Sequence, residues 1–316
     1  QQTMPYQHDS GEVFGTFYNV TYQSDNDLKS EIEAALKTVD DEFSMYNPSS
    51  TVSKINRGEK PELSGMFMEV YELSQTVNKE SGGAFDITVA PLVNAWGFGF
   101  KTKQMPDKHQ VDSLRAFVGN DKFSVVNDGK KCFPRKKDRR TMLDFSAIAK
   151  GYGCDVVARL LRGKDIKNFM IDIGGEVVTS GNSEKRLPWK IGVTKPVDDP
   201  LGGDGELQTV LNITDKAMAT SGNYRKFYYK NGRKYAHTID PKTGRPVQHS
   251  ILSATVIAKD CATADAYATA FMVLGVEGTK RVLENHPELM AYLIYSGRDG
   301  KNKVWFSPSL EGKIEK

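Results

Sequence analysis

Residues 13–22, Val-Phe-Gly-Thr-Phe-Tyr-Asn-Val-Thr-Tyr, are aromatic and β-branched with partial alternation, whereas from Asp27 to Phe43 the apolar Leu28, Ile32, Ala35, Leu36, Val39 and Phe43 return every three or four residues. The first pattern predicts a strand and the second an amphipathic helix, with Ser24 to Asn26 offering capping side chains. Such a change of period could open a strict βαβ repeat, but the rest of the chain breaks it. After the loop Ser44 to Ser50, a second helix is expected from an N-cap at Ser64 through Met68, Tyr71, Leu73 and Val77 to Gly82-Gly83. Ala84 to Phe100 shows neither period and reads as an irregular aromatic loop, and Lys101 to Arg140 reads as solvated surface around a short hairpin. Thr141–Phe145 is expected as a strand, 147–161 as a helix closed by Gly163, and Phe169–Ile173 as a strand running into Gly174-Gly175. Strands are expected again at 189–193, 207–213, 252–258, 289–295 and 304–306, and helices at 262–274 and 276–285. This mixture favours an α+β fold over a doubly wound sheet.

The 316 residues allow one large domain or two modest ones. No linker splits the chain, so a single domain is expected over 13–316 behind a tail at 1–12, with a flexible surface loop at Pro200 to Gly205. A net charge of +3 from 43 basic and 40 acidic residues argues against nucleic acid as a partner. No apolar run reaches the ~20 residues that span a bilayer, and Gln1 to Ser10 lack the pattern of a signal peptide. Cys132, Cys154 and Cys261 show no CxxC spacing, which argues against a disulfide framework or structural zinc. The redox compartment stays open.

Four constellations could carry chemistry. Asp144-Phe145-Ser146-Ala147-Ile148-Ala149-Lys150-Gly151 stands at an expected helix start, where free N–H groups suit a phosphate and where a surface ion pair is the plain alternative. Asp265 and Thr269 are one helical turn apart and could offer two oxygens to a hard cation such as Mg²⁺; Asp265 could equally serve the helix dipole. The glycines of Asp172-Ile173-Gly174-Gly175-Glu176 and Thr220-Ser221-Gly222-Asn223-Tyr224 could face a pyrophosphate or simply make tight turns. His237 leads into Asp240-Pro241-Lys242-Thr243-Gly244, a turn that could hold its imidazole at a site mouth as a general base. HExxH, GxSxG and kinase signatures are absent.

Taken in order, Phe14-Gly15-Thr16, Ser44-Met45-Tyr46-Asn47-Pro48, Gly83-Ala84-Phe85-Asp86-Ile87-Thr88, Asn94-Ala95-Trp96-Gly97-Phe98-Gly99, Asp144 to Asp155, Ile173-Gly174-Gly175, Pro188 to Val193, Thr220 to Tyr224, His237 to Gly244 and Ala264 to Thr269 resemble the ApbE family of FAD:protein FMN transferases nearly end to end. The resemblance implies an α+β fold of the T-fold-like kind, with two intertwined subdomains, mostly antiparallel sheets and an FAD cleft between them. It implies Mg²⁺-dependent transfer of FMN from FAD to a Thr or Ser hydroxyl of a target flavoprotein, with AMP released. A Mg²⁺-dependent FAD pyrophosphatase and a non-catalytic FAD-binding protein are the alternatives. By position, FAD contacts would come from Tyr46, Ala84, Phe85, Asp86, Asp144, Lys150 and His237, and from Phe14 where the family often places Met. Metal ligands would be Asp265, Thr269 and the Ala147 carbonyl; Lys150 and His237 would be catalytic. The family further implies acceptors in envelope redox complexes carrying a short Thr/Ser motif, and export to the periplasmic side of a bacterial envelope. Membrane attachment would come only through a lipid anchor absent from these residues.

Overall fold

The computed structural model describes residues 3–195, 207–222 and 228–315. Eight strands, Tyr6–Val13, Thr16–Gln23, Phe169–Ile173, Glu176–Ser180, Ala217–Ser221, Ile251–Ala258, Met290–Ser296 and Asn302–Phe306, form one sheet whose spatial order repeats chain order. Every neighbouring pair is antiparallel. Between the second and third strands the chain leaves to build α1 (Lys29–Phe43), α2 (Thr51–Asn56), α3 (Gly65–Glu80), α4 (Ala90–Thr102), α5 (Lys108–Arg115) and α6 (Ser146–Gly163). The last helix, α7 (Cys261–Glu284), links the sixth and seventh strands. The fold is α+β, as the mixed periods predict.

Helices cover one face of the sheet. Ile32 and Leu36 of α1 and Val157 and Leu161 of α6 bury Tyr18, Val20, Tyr22 and Ile171. Further along, Ala264, Ala268 and Phe271 of α7 pack on Ala219, Ala254 and Val256. The opposite face is closed by the ribbon Lys190–Thr194/Leu207–Asn212, whose Ile191, Val193 and Leu211 meet Val177, Met218, Ile257 and Tyr292. Ile251–Ala258 is therefore buried at every position, and a strand covered on both faces carries no polar alternation.

Three expected segments are corrected. Residues 6–12 are not tail but most of an edge strand, joined to its partner through Phe14-Gly15 at φ 52° and 72°, so the expected strand at 13–22 starts at Thr16. Its sequence, YQHDSGEV, hides it because few of its side chains face the core. The expected irregular loop at 84–100 instead contains most of α4, with Pro91 in its first turn. Trp96 and Leu92 are buried against Val111 and Ile239, and the two glycines and the aromatic residues blur the helical period. Thr141–Phe145 is not a strand. Its backbone is held by the Asn56 side chain, which donates to the Leu143 carbonyl at 3.0 Å and accepts from the Leu143 N–H at 2.8 Å, and by the Ile87 carbonyl, which accepts from Asp144 N–H at 2.8 Å. Alternate burial of Thr141, Leu143 and Phe145 imitates a strand without a ladder.

Ser24 to Asn26 do not cap α1, whose N-cap position is Leu28 with no side-chain cap, but other expected signals act as read. Ser64 Oγ caps α3 by accepting from Phe67 N–H at 3.0 Å, and the hairpin Phe123–Asn127/Cys132–Lys136 lies in the polar stretch. That stretch also holds α5, opened by an Asp107/Gln110 capping box. The two helices expected at 262–274 and 276–285 are the halves of α7, broken at Gly275 with φ 74°. His249 fills the break, its Nε2 donating to the Val273 carbonyl at 2.8 Å. Pro200 to Gly205, and Asn223 and Tyr224, lie outside the described residues.

Candidate active site

A cavity of about 450 Å³ opens where α4, the start of α6, the start of α7 and the segment 237–241 converge. Ala84, Phe85, Asp86, Asp144, Ala147, Lys150, His237, Asp265 and Thr269 all line it. Nine of the eleven residues singled out in the sequence thus come together, from segments far apart in the chain. The other two do not line it. Phe14 sits in the hairpin turn with its ring over Gly153 of α6, and Tyr46, on the loop after α1, is 98% exposed.

Each element places its residue for a local reason. Asp144 Oδ1 accepts from Ser146 N–H at 2.8 Å, tying down the first turn of α6. Four residues on, Lys150 leaves the same helix and lies across the turn Gly174-Gly175, where φ of 59° and 97° makes glycine the fitting residue. Asp86 is turned inward, its Oδ1 accepting from the Thr88 backbone at 2.8 Å and hydroxyl at 2.6 Å, so it shapes the wall as an Asx turn. The loop bearing His237 is fixed from α4, because Trp96 Nε1 donates to the Gly244 carbonyl at 2.6 Å in buried surroundings. The His237 ring itself stacks on Phe100, ring centres 4.0 Å apart.

Helices α6 and α7 cross closely at Gly151. Its N–H, whose regular helical acceptor is the Ala147 carbonyl, donates to Asp265 Oδ2 at 3.0 Å. A carbonyl carries two lone pairs, so Ala147 keeps acceptor capacity toward the cavity. Thr269 is one turn beyond Asp265, its hydroxyl 3.3 Å from Ser221 Oγ.

The charges in this cavity do not balance. Asp265 and Glu176 are both buried, and Lys150 Nζ stands 3.7 Å from Glu176 Oε2, an oxygen with no hydrogen-bond partner. Burial raises Glu176 to about 7 although Lys150 pulls it down. Burial also pushes Asp265 well above the usual carboxylate range, and Glu176 adds to the rise. Two carboxylates around one ammonium leave a deficit of positive charge that a cation would fill. Among the described residues no three His, Cys, Asp or Glu side chains form a metal cluster. The oxygens on offer are instead a mixed set, of the hard type that Mg²⁺ prefers.

Glu176, Thr220, Ser221, Asn94 and Met272 also line the cavity. Of these, Glu176 is the one whose chemistry was missed: it follows the two glycines directly, where a hairpin returns its side chain toward α6. An acidic residue after a Gly-Gly turn that ends a buried strand was the available signal.

The ApbE family model matches residues 14–294. A Haemophilus influenzae protein named FAD:protein FMN transferase is 36% identical over 304 residues, covering 92% of this chain and 87% of its own length. The Escherichia coli K12 protein of the same name is 32% identical, with coverage of 95% and 87%. The solved flavin transferase ApbE from Vibrio cholerae superposes with a TM-score of 0.83 at 33% identity, covering 98% of this chain and all of the other. With the match spanning nearly the whole chain, this protein belongs to the ApbE family.

Proposed function

We propose that this chain is an FAD:protein FMN transferase acting at the cavity between α6 and α7, with Mg²⁺ as its metal and a Thr or Ser of an acceptor flavoprotein as the receiving group. One observation carries the reading: buried Asp265 and Glu176, with half-buried Thr269, share with Lys150 a space of ligand size that has His237 on its wall. Relatives that bear the activity in their names match over more than nine-tenths of the chain, which supports the reading.

The residues divide the work. Asp265, Thr269 and the Ala147 carbonyl would hold the cation, and the donor set fits, since all three are oxygens and the site lacks positive charge. When bound, Mg²⁺ neutralises charge on the pyrophosphate. Lys150, held by Glu176, presents a further positive charge to the phosphates. His237 takes the proton of the incoming hydroxyl as its oxygen bonds to the phosphorus beside FMN; the bond from that phosphorus to the AMP phosphate oxygen breaks, and AMP leaves. By this reading the protein works on the periplasmic side of a bacterial envelope, where its acceptors belong to redox complexes.

The test is incubation with FAD, Mg²⁺ and a Thr-containing acceptor domain, followed by mass spectrometry. Acceptor gaining an FMN mass, with AMP, is the expected result. Free FMN and AMP beside unmodified acceptor would make the enzyme a pyrophosphatase, and intact FAD throughout would make it a binding protein. His237→Ala should slow transfer by about a hundredfold or more while FAD affinity changes little; equal losses in both would remove His237 as the base.

A further inference from the structure

His237 lines the cavity, but the rings that hold its imidazole lie behind it. Leu92, Trp96 and Phe100 follow one another at four-residue spacing and so share one face of α4. That face grips the segment that begins at His237. Leu92 and Trp96 share a buried cluster with Ile239, Trp96 Nε1 donates to the Gly244 carbonyl at 2.6 Å, and Phe100 stacks on the imidazole with the two planes 19° apart. Tyr228 completes the arrangement, its ring 5.3 Å from that of Phe100 and 5.4 Å from that of His237. Phe100 and Tyr228 line a separate groove and not the cavity, whereas His237 lines the cavity and not the groove.

We infer that Phe100 is a positioning residue for the transfer step, fixing the plane of the His237 ring so that a ring nitrogen meets the incoming hydroxyl. The inference rests on the transferase reading and adds to it what aims the base. An imidazole on a loop turns about two side-chain torsions, and a flat ring 4.0 Å away blocks rotation out of the stacked plane. Phenylalanine carries neither donor nor acceptor, so it holds the face of the imidazole without engaging the nitrogens at its edge. Proton transfer needs a base within hydrogen-bond reach of the hydroxyl, and a misplacement of about 1 Å can cost a hundredfold in rate. Because Phe100 does not line the cavity, its effect on transfer runs through His237.

A double-mutant cycle tests this, with saturating FAD, Mg²⁺ and the Thr-containing acceptor domain. Phe100→Leu and Phe100→Met keep apolar bulk and remove the flat ring; each should lower kcat by about tenfold or more while KM for the acceptor and FAD affinity change by less than about twofold. Phe100→Tyr, which keeps the ring, should retain most of the rate. In the His237→Ala background, where no imidazole is left to aim, the same two losses should shrink to less than about twofold. Equal losses in both backgrounds, an unchanged kcat, or a loss that falls on KM or on FAD affinity would overturn the role of Phe100 and leave the transferase reading intact. No labelling by the intact enzyme would overturn that reading, and full activity of His237→Ala would remove His237 as the base; either result takes the role of Phe100 with it.

Discussion

Glu69 of α3 receives two partners from α6: Tyr152 Oη donates to it at 2.8 Å, and the Arg159 guanidinium grips both its oxygens. Hydrogen bonding from Arg159 holds the Glu69 carboxyl below its usual value of 4.5. A lowered pKa means that the pair stabilises the fold fully above the unfolded value, and that this contribution disappears as pH falls through the folded one. Both side chains are about half exposed, so the contribution is modest. Glu69→Gln should cost about 1 kcal/mol at neutral pH and nothing in strongly acidic solution, as read by urea titrations across that range; a cost independent of pH would show that packing, not charge, is what Glu69 supplies. At this scale the sequence was most legible in placement: Asp144 at a helix start and Asp265 one turn from Thr269 line the same cavity. It was least legible for Tyr46 and Phe14, because a motif position says nothing of which way a loop or a hairpin turn points its side chain.

Among elements, the crossing of α6 and α7 governs the site. A Cβ on Gly151 would lie 2.9 Å from the Asp265 Cβ and collide with the Cys261 carbonyl, neither of which can swing aside as a long side chain can. Gly151→Ala should destabilise by about 1–3 kcal/mol despite the better helix propensity of alanine. It should also raise the Mg²⁺ concentration needed for half-maximal turnover, because it parts Ala147 from Asp265. Unchanged Mg²⁺ dependence would show that the metal oxygens do not span the two helices. The small residues of α7 made this helix readable as buried, and the break at Gly275 was visible as a boundary between two periods. The helix α4 was not readable, since a helix that buries Trp96 against α5 and pins the Gly244 turn from the same side uses aromatic bulk and glycine clearance in place of a regular apolar stripe. Thr141–Phe145 failed for the opposite reason: side-chain alternation was present, but its hydrogen bonds went to Asn56 and Ile87.

For the whole molecule, the α+β class followed from the irregular alternation of periods, whereas the chain-order sheet did not, because pairing depends on where each long excursion returns. The longest excursion leaves at Gln23 and returns at Asn168, where Gln23 N–H donates to the Asn168 carbonyl at 2.9 Å and the two side chains bond at the same distance. Neighbouring strands elsewhere in the first half, such as Phe169–Ile173 and Glu176–Ser180, meet across a tight turn. Folding then has two clocks. Hairpins close quickly, but the sheet becomes continuous only after a segment of more than a hundred residues has paid its loop entropy. Pulse-labelled hydrogen exchange during refolding should protect the amides of Val178 and Ser180, inside the tight hairpin, before those of Asn19 and Thr21, which face the returning strand; simultaneous protection would mean that the excursion closes as fast as a turn. Ala84, Asp86, Ala147 and Lys150 ride on the excursion, while Thr220, Asp265 and Thr269 belong to the chain beyond its return. The newborn chain accordingly lacks this cavity until its slowest closure is done, and on the proposed function a half-folded molecule has nothing with which to hold, or squander, FAD.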